Sequence, residues 1–166
     1  MSRSPSGVRS LLAATILCIA LPLVLHGQQI VSTPAAELRV DGFGGDRPGA
    51  QLGAGINLPL GYYARLGVIG GLGAASVDDR GVLAGRVDLL ARFLLDPFRQ
   101  SRWGLSAAGG VSVRGNEGDR MRPHLLLLVD VEGRRTSSGV SPAFQLGLGG
   151  GVRAGVGLRW NDRASR

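Results

Sequence analysis

The feature that most constrains this chain is an alternation of apolar side chains with polar or small ones at every second position. In residues 82–95 the odd positions are almost all apolar, whereas the even positions include Arg86, Asp88 and Arg92. Residues 144–160 repeat the pattern with the apolar side chains at even positions. A period of two is that of a β-strand, whose successive side chains point to opposite faces of a sheet. The pattern therefore predicts strands with one apolar face and one polar face.

The same sequence disfavours helices. No long stretch repeats apolar residues at the three- and four-residue spacing of an amphipathic helix. Each of the 28 glycines would weaken a helix by about 1 kcal/mol relative to alanine. With 166 residues the chain has room for one domain. We therefore expect a single all-β domain.

Segments rich in Gly, Pro, Asp and Asn separate the alternating stretches and set the number of strands. The strands predicted between them are 35–43, 48–58, 62–77, 82–95, 103–114, 122–134 and 141–160. The last stretch is too long for one crossing, because a tilted membrane-spanning strand needs about 9–11 residues. A three-residue turn at 149–151 would pair Leu148 with Val152 and keep the alternation in phase, which gives eight strands. One long seventh strand is the alternative.

Eight strands predict an antiparallel up-and-down β-barrel, which leaves no edge strand unpaired. If the apolar faces point to lipid, the charged faces line an interior just wide enough for side chains to fill. The charged residues predicted to form this internal network are Arg86, Asp88, Arg92, Arg114, Asp130, Glu132, Arg134 and Arg153. A soluble barrel would reverse the two faces, and the alternation alone is symmetric between these arrangements. The near absence of charge from one face of the better strands favours the membrane.

The aromatic residues also favour a membrane. If both ends of the barrel lie on the periplasmic side, the turns after the second, fourth and sixth strands lie there too. Six of the eight aromatic residues then collect near one rim, as expected for an interfacial girdle. They are Tyr62, Tyr63, Phe98, Trp103, Phe144 and Trp160. The opposite rim has little beyond Phe43.

The N-terminal segment has the features of an export signal. Arg3 and Arg9 precede residues 11–25, which are almost continuously apolar. A membrane-spanning helix needs about 20 apolar residues, and Pro22 interrupts this shorter stretch. We therefore expect secretion with cleavage of the signal. The expected organisation is a signal peptide over 1–27, a β-barrel domain over 28–160 and a C-terminal tail over 161–166.

The glycine-rich alternating strands, the short turns and the terminal GVGLRW segment resemble small bacterial outer-membrane barrels of the OmpA/OmpX-like type. The resemblance covers essentially all of residues 30–160 and is one of pattern. It implies a monomeric eight-stranded barrel in the outer membrane, surrounded by lipid, with a structural, anchoring or loop-mediated interaction role. The alternative is a soluble barrel, periplasmic or secreted, that binds a small apolar ligand.

Residues that carry catalysis or bind metals are sparse. His124 is the one histidine after residue 27, and no cysteine follows Cys18, so the sequence offers no metal site of several His or Cys ligands. Asp130 and Glu132 share a predicted strand with His124 but lie about 20 Å or more from it, too far for a Ser–His–carboxylate arrangement. We expect no cofactor, no metal and no enzymatic activity.

The net charge of +7 does not by itself predict nucleic-acid binding. All 19 basic residues are arginine, and they alternate along the chain with Asp and Glu instead of forming one run. A nucleic-acid interface needs a basic face that tracks phosphates. The charge pattern instead predicts pairing within the molecule.

Overall fold

The computed structural model describes residues 33–45, 47–98, 101–117 and 120–161. They form eight strands: β1 (Ala35–Gly44), β2 (Gly49–Pro59), β3 (Ala64–Val77), β4 (Arg80–Leu94), β5 (Gly104–Asn116), β6 (Arg122–Glu132), β7 (Val140–Leu148) and β8 (Val152–Asn161). Each strand pairs antiparallel with the next, and β8 pairs with β1, so the sheet closes into a barrel. The predicted all-β, eight-stranded barrel is therefore confirmed.

Two predicted segments lie wholly or mostly outside the described residues. The signal peptide over residues 1–27 is outside the described residues, as are residues 162–166 of the predicted tail. Within the described ranges, no helix is long and apolar enough to cross a membrane.

The predicted division of the last alternating stretch into two strands is confirmed. β7 ends at Leu148, β8 begins at Val152, and these two residues are paired. Gly150 and Gly151 have φ angles of 71° and 140°, a region that glycine adopts without a steric penalty. The Gly149 N–H donates to the Gly151 carbonyl at 2.9 Å and closes the three-residue turn.

The β3–β4 connection is tighter than the sequence predicted. Val77 pairs with Arg80, so the loop is only Asp78 and Asp79, with φ angles of 48° and 60°. Positive φ at both central residues is the type I′ geometry, whose twist matches that of the flanking strands. β4 consequently begins at Arg80, two residues before the predicted start at residue 82.

The alternation separates the outside of the barrel from its interior. Along β4, Asp88 faces inward and is 0% exposed, whereas its neighbour Leu89 faces outward and is 50% exposed. Among the described residues, thirty large apolar side chains are exposed and ten apolar residues are buried. The outer surface is thus mainly apolar, and most of the interior is polar.

One part of the interior is nevertheless apolar. Five buried residues on the β3–β6 side form a hydrophobic cluster, which we call the apolar cluster: Ile69, Leu90, Ala108, Leu126 and Leu128. The remaining interior surface, mainly on β1, β2, β7 and β8 with the inner faces of β4 and β6, carries charged and amide side chains. The barrel is therefore filled by two kinds of packing side by side.

Candidate functional site

Acidic and basic residues occupy the charged side of the interior in equal numbers. Five carboxylates and five guanidinium groups there are each at most 7% exposed, and we call them the charge network. Its members are Glu37, Asp41, Asp88, Asp130, Glu132, Arg39, Arg86, Arg92, Arg153 and Arg159. Buried charges are tolerated only when they are paired and hydrogen-bonded, and the balance of signs meets the first of these requirements.

Asp88 is the centre of one half of the charge network. Its Oδ2 accepts from Arg39 Nη2 at 2.5 Å and from Arg86 Nε at 3.1 Å. The same oxygen accepts from Arg153 Nη2 at 2.8 Å, while Oδ1 accepts from Ser112 Oγ at 2.7 Å. The donors come from β1, β4, β5 and β8. A single carboxylate therefore joins strands that are not all neighbours in the sheet.

Glu37 and Asp130 form a second centre nearer the start of β1 and the end of β6. Arg159 reaches both, with its Nε 3.0 Å from Glu37 Oε2 and its Nη2 beside Asp130 Oδ2. Arg92 also reaches both, at 3.3 Å from Glu37 Oε2 and 3.1 Å from Asp130 Oδ2. Arg39 links the two centres, because its Nη1 lies 3.5 Å from Glu37 while its Nη2 pairs with Asp88.

Amide side chains occupy some of the hydrogen-bonding positions that the ion pairs leave. Gln51 accepts from Arg86 at 2.7 Å, and Asn57 donates to Glu37 at 2.8 Å. Gln145 accepts from Arg39 at 3.0 Å and donates to Glu37 at 3.2 Å. These neutral groups can donate and accept at once, so they extend the network without adding charge.

Inward-facing glycines provide the space for these long side chains. A Cβ at Gly71 would lie 3.0 Å from Arg86 Cζ and 3.2 Å from its Cγ. A Cβ at Gly155 would collide with Asp41 Oδ1. Glycine is therefore required at these positions because side chains of the charge network approach the strand backbone closely. Close approach of this kind is a common reason for glycine inside a strand.

Phe43 covers one end of the charge network. The sequence placed Phe43 at the rim opposite the other aromatics, and the structure puts its ring at that end but facing inward, 6% exposed. The guanidinium carbons of Arg114, Arg86 and Arg153 lie 4.3, 5.0 and 5.3 Å from the ring centroid. Such distances allow cation–π attraction. Phe43 thus separates the network from the mouth of the barrel.

The eight residues predicted to form the internal network fall into three groups. Six are buried inside the barrel: Arg86, Asp88, Arg92, Asp130, Glu132 and Arg153. Arg114 is half-buried at the end of β5, where its Nη2 donates to the Arg47 carbonyl at 3.2 Å. Arg134 is exposed and lies beyond the end of β6. The placement of Arg134 in the interior was wrong, because the inward alternation of β6 stops at Glu132.

Sequence reasoning missed four members of the network: Glu37, Arg39, Asp41 and Arg159. The first three alternate on the inner face of β1, opposite Leu38 and Val40 on its outer face. That period-two pattern was visible in the sequence. Arg159 shares the inward parity of Arg153 on β8. The same alternation rule that identified the β4 residues would have found all four.

All six predicted interfacial aromatics are exposed, and all but Phe144, which lies in the middle of β7, are at one end of the barrel: Tyr62, Tyr63, Phe98, Trp103, Phe144 and Trp160. Tyr63 and Phe98 meet edge to face at 6.2 Å between ring centroids, and Tyr62 lies 6.4 Å from Phe98. Phe93, which was not predicted, stacks on Tyr63 at 6.2 Å. Six of the eight aromatic residues therefore lie at one end of the outer surface, which we call the aromatic rim.

The few residues with catalytic potential are occupied elsewhere or lie apart. Ser112 donates its hydroxyl to Asp88, and its strand neighbour His124 lies near the opposite end from the aromatic rim, beside Gly150. Ser141 is buried and pairs in register with Arg159. Over the part of the chain that is described, no group of three or more His, Cys, Asp or Glu residues is placed to hold a metal ion.

Comparison with known proteins bears on the fold. No protein-family model matches the chain, and no curated protein matches it. Among solved structures it is similar to the solution NMR structure of TMB2.3, a de novo designed eight-stranded transmembrane β-barrel. The TM-score is 0.50 at 12% sequence identity, and the match covers 82% of this chain and 98% of the designed one. The chain therefore has the fold of a small eight-stranded β-barrel.

Proposed function

We propose that this protein is a monomeric, non-enzymatic barrel of the bacterial outer membrane, with a structural, anchoring or loop-mediated interaction role. The observation that carries the proposal is the direction of the two faces. Exposed apolar side chains surround the barrel, while balanced charges fill its interior. That arrangement suits a barrel whose solvent is lipid and whose backbone hydrogen bonds are all satisfied between strands.

The aromatic rim supports the same proposal. Tyrosine and tryptophan prefer the boundary between hydrocarbon and water, because their rings are apolar and their tips are polar. Here Tyr62, Tyr63, Trp103 and Trp160 lie at the end of the barrel that holds both its first and last strand ends. In the proposed topology this end faces the periplasm, and the predicted export signal would deliver the chain there.

The filled interior argues for a scaffold in preference to a solute pore or a ligand carrier. Arg39 and Arg153 cross the interior to Asp88, and Arg86 of the same strand binds that carboxylate as well. A barrel of eight strands has little room beyond its own side chains. Apolar ligands would have to displace ion pairs there, which makes the soluble ligand-binding barrel the weaker alternative.

Envelope fractionation tests the membrane proposal. The full chain should sediment with the outer membrane, require detergent for extraction, and migrate differently on a gel before and after heating. These behaviours follow from an apolar outer surface around a hydrogen-bonded barrel. A protein recovered as a water-soluble monomer without detergent would refute the proposal and favour the soluble barrel.

Planar-bilayer conductance tests the absence of a pore. We expect the purified wild-type protein to give no reproducible single-channel steps, because the charge network obstructs the interior. As a control, Arg153→Ala removes one of the guanidinium groups that reach Asp88 and widens any residual path. Stable steps from the wild-type barrel would overturn the scaffold role and assign a pore.

A further inference from the structure

A second cluster of cations lies at the mouth of the barrel opposite the aromatic rim. A small cavity there, of about 140 Å³, is lined by side chains from the β1–β2 loop, the end of β5 and the start of β6. The polar groups around it are Arg47, Arg114, Asn116, Arg120, Arg122 and His124. We call this cavity the mouth cup.

Backbone pairing and hydrogen bonds hold the cup in shape. Arg114 on β5 and Arg122 on β6 are register partners, so two guanidinium-bearing residues stand directly opposite each other. Like charges in that position destabilise a strand pair. Arg47 Nη1 donates to Asn116 Oδ1 at 3.2 Å, and this bond ties the β1–β2 loop to β5. The clustering of positive charge is thus built into the register and does not depend on a single mobile side chain.

Arg114 forms the floor of the cup and is held in place by the Phe43 ring beneath it. Arg114 lies over the Phe43 ring at 4.3 Å from its centroid and donates to the Arg47 carbonyl. Phe43 also lies against Arg86 and Arg153 of the charge network. This ring holds the Arg114 guanidinium at the base of the cup, where it is half-buried. A half-buried cation interacts with an anion more strongly than a fully solvated one does.

The size and donor set identify the class of ligand. Pockets for drug-sized molecules are about 300–1,000 Å³, so the mouth cup fits only a small group. Arginine presents planar pairs of N–H donors that match the oxygens of phosphate. Several arginines that converge on one small space suit an anion with more than one charge and several acceptor oxygens.

We propose that the mouth cup binds a single phosphate group, carried either by a membrane lipid or by free phosphate. Arg114 contacts it from the floor, and Arg120 and Arg122 contact it from the β6 side. The site does not depend on the charge network below Phe43. It also does not depend on the membrane location, since a soluble barrel would present the same cup.

Calorimetric titration of the refolded full chain in zwitterionic micelles tests this proposal. One arm uses inorganic phosphate at constant ionic strength, and the other uses zwitterionic vesicles doped with phosphatidic acid. The test variant replaces two exposed cup residues, Arg120→Gln with Arg122→Gln. The matched control is Arg80→Gln, which removes an exposed cation at the same end of the barrel but outside the cup.

We expect saturable binding that the double variant weakens by at least about tenfold, since each lost hydrogen bond to a charged group has about this effect. Arg80→Gln should change the affinity by less than about twofold. Binding in the lipid arm alone assigns the phosphate to a lipid, and binding in both arms shows that free phosphate is sufficient.

Two results would overturn the proposal. One is no saturable binding in either arm. The other is an equal loss of affinity for the double variant and for Arg80→Gln, which would mean that the net charge alone accounts for the loss. Because both substituted side chains are exposed, the barrel should refold, as circular dichroism can verify. If the double variant does not refold, Arg122→Gln alone is used, and its expected loss of affinity is about tenfold. A loss equal to that of Arg80→Gln would again refute the cup.

Discussion

The two faces of β4 carry opposite chemistry on one continuous strand. Its inner face presents Arg86, Asp88 and Arg92, all at most 2% exposed, whereas its outer face presents Leu89 and Phe93, both at least half exposed. In a soluble barrel the apolar face would be the buried one. The comparison shows that charge pairing stabilises the inner face of this strand. Its apolar side chains form part of the outer surface of the barrel.

The inner face is not uniform. Leu90 stands between Asp88 and Arg92 and belongs to the apolar cluster with Leu126 and Leu128. One side of the interior is therefore stabilised by close apolar packing, which tolerates small changes in the orientation of the side chains. The other side depends on directed hydrogen bonds between ionised groups, where a single missing partner leaves the rest uncompensated. The largest effects of substitution are expected on this second side.

Removal of the Asp88 carboxylate should have the largest effect. Asp88→Ala leaves Arg39, Arg86 and Arg153 without their shared acceptor. Breaking a buried pair in this way destabilises by about 3–5 kcal/mol. Denaturant unfolding of the refolded protein in lipid vesicles measures this change.

Glu117→Ala provides the control, because it removes an exposed carboxylate that lies just beyond the end of β5 and outside the charge network. It should change the free energy of unfolding by less than about 0.5 kcal/mol. If Asp88→Ala proves no more destabilising than Glu117→Ala, the inner face is not held together by charge pairing.

A charge on the outer face tests the other half of the comparison. Leu89→Arg places a guanidinium near the middle of β4, between Val68 and Val111 on the neighbouring strands. In lipid this should cost about 2–4 kcal/mol near the membrane midplane. Leu89→Ala, as the control, removes the same side chain without adding charge and should lose much less. A Leu89→Arg protein that is as stable as Leu89→Ala in vesicles would mean that this face does not contact lipid.

The sequence was sufficient for the strands but not for the direction of their faces. Alternation in residues 82–95 predicted which β4 side chains share a face, and the Gly149–Gly151 turn predicted the eighth strand. Which face is inside could not follow from the pattern, because alternation is symmetric between a soluble and a membrane barrel. The near absence of charge from one face of the better strands favoured a charged interior, and closure of the sheet, with long arginines meeting across it, shows that interior.

Two other features were harder to predict for local reasons. Residues 125–128 are all leucine, so alternation is absent there, and the face of Leu126 and Leu128 follows only from the even positions that they share with Asp130 and Glu132. Arg134 was misplaced because the prediction extended β6 past its end. The Gly133 N–H donates to the Pro142 carbonyl at 2.7 Å, but proline has no N–H to return. Arg134, the next residue, is exposed and lies outside the strand.

Two adjacent glycines on β3 offer a sharper comparison of the faces. Gly71 points inward and a Cβ there would lie 3.0 Å from Arg86 Cζ, whereas a Cβ at Gly70 would meet nothing within 4 Å. Gly71→Ala should therefore destabilise by about 1–3 kcal/mol through overpacking. Gly70→Ala should be neutral or stabilising by up to about 1 kcal/mol, because alanine restricts the unfolded chain. Equal free energies of unfolding for the two variants would show that the Arg86 side chain does not pack tightly against β3 at Gly71.

The smallest expected effect concerns the turn that sets which β4 residues face inward. A slip of one residue in a strand moves every side chain to the other face, and the Asp78–Asp79 turn fixes the β3–β4 register by pairing Val77 with Arg80. Asp79 has a φ of 60°, which glycine adopts more readily than aspartate. Asp79→Gly should thus stabilise the barrel by about 0.5–1 kcal/mol.

Asp78→Asn is the matched control, since it removes one charge from the same turn but keeps a residue that tolerates positive φ. It should leave the free energy of unfolding within about 0.3 kcal/mol of the wild type. A gain for Asp79→Gly above this control, measured by the same denaturant titration, would show that turn conformation helps hold β4 in register. If Asp78→Asn stabilises the barrel as much as Asp79→Gly does, the gain comes from relief of repulsion between the two carboxylates. The β3–β4 register then depends instead on the charge network, through its contacts with Arg86, Asp88 and Arg92.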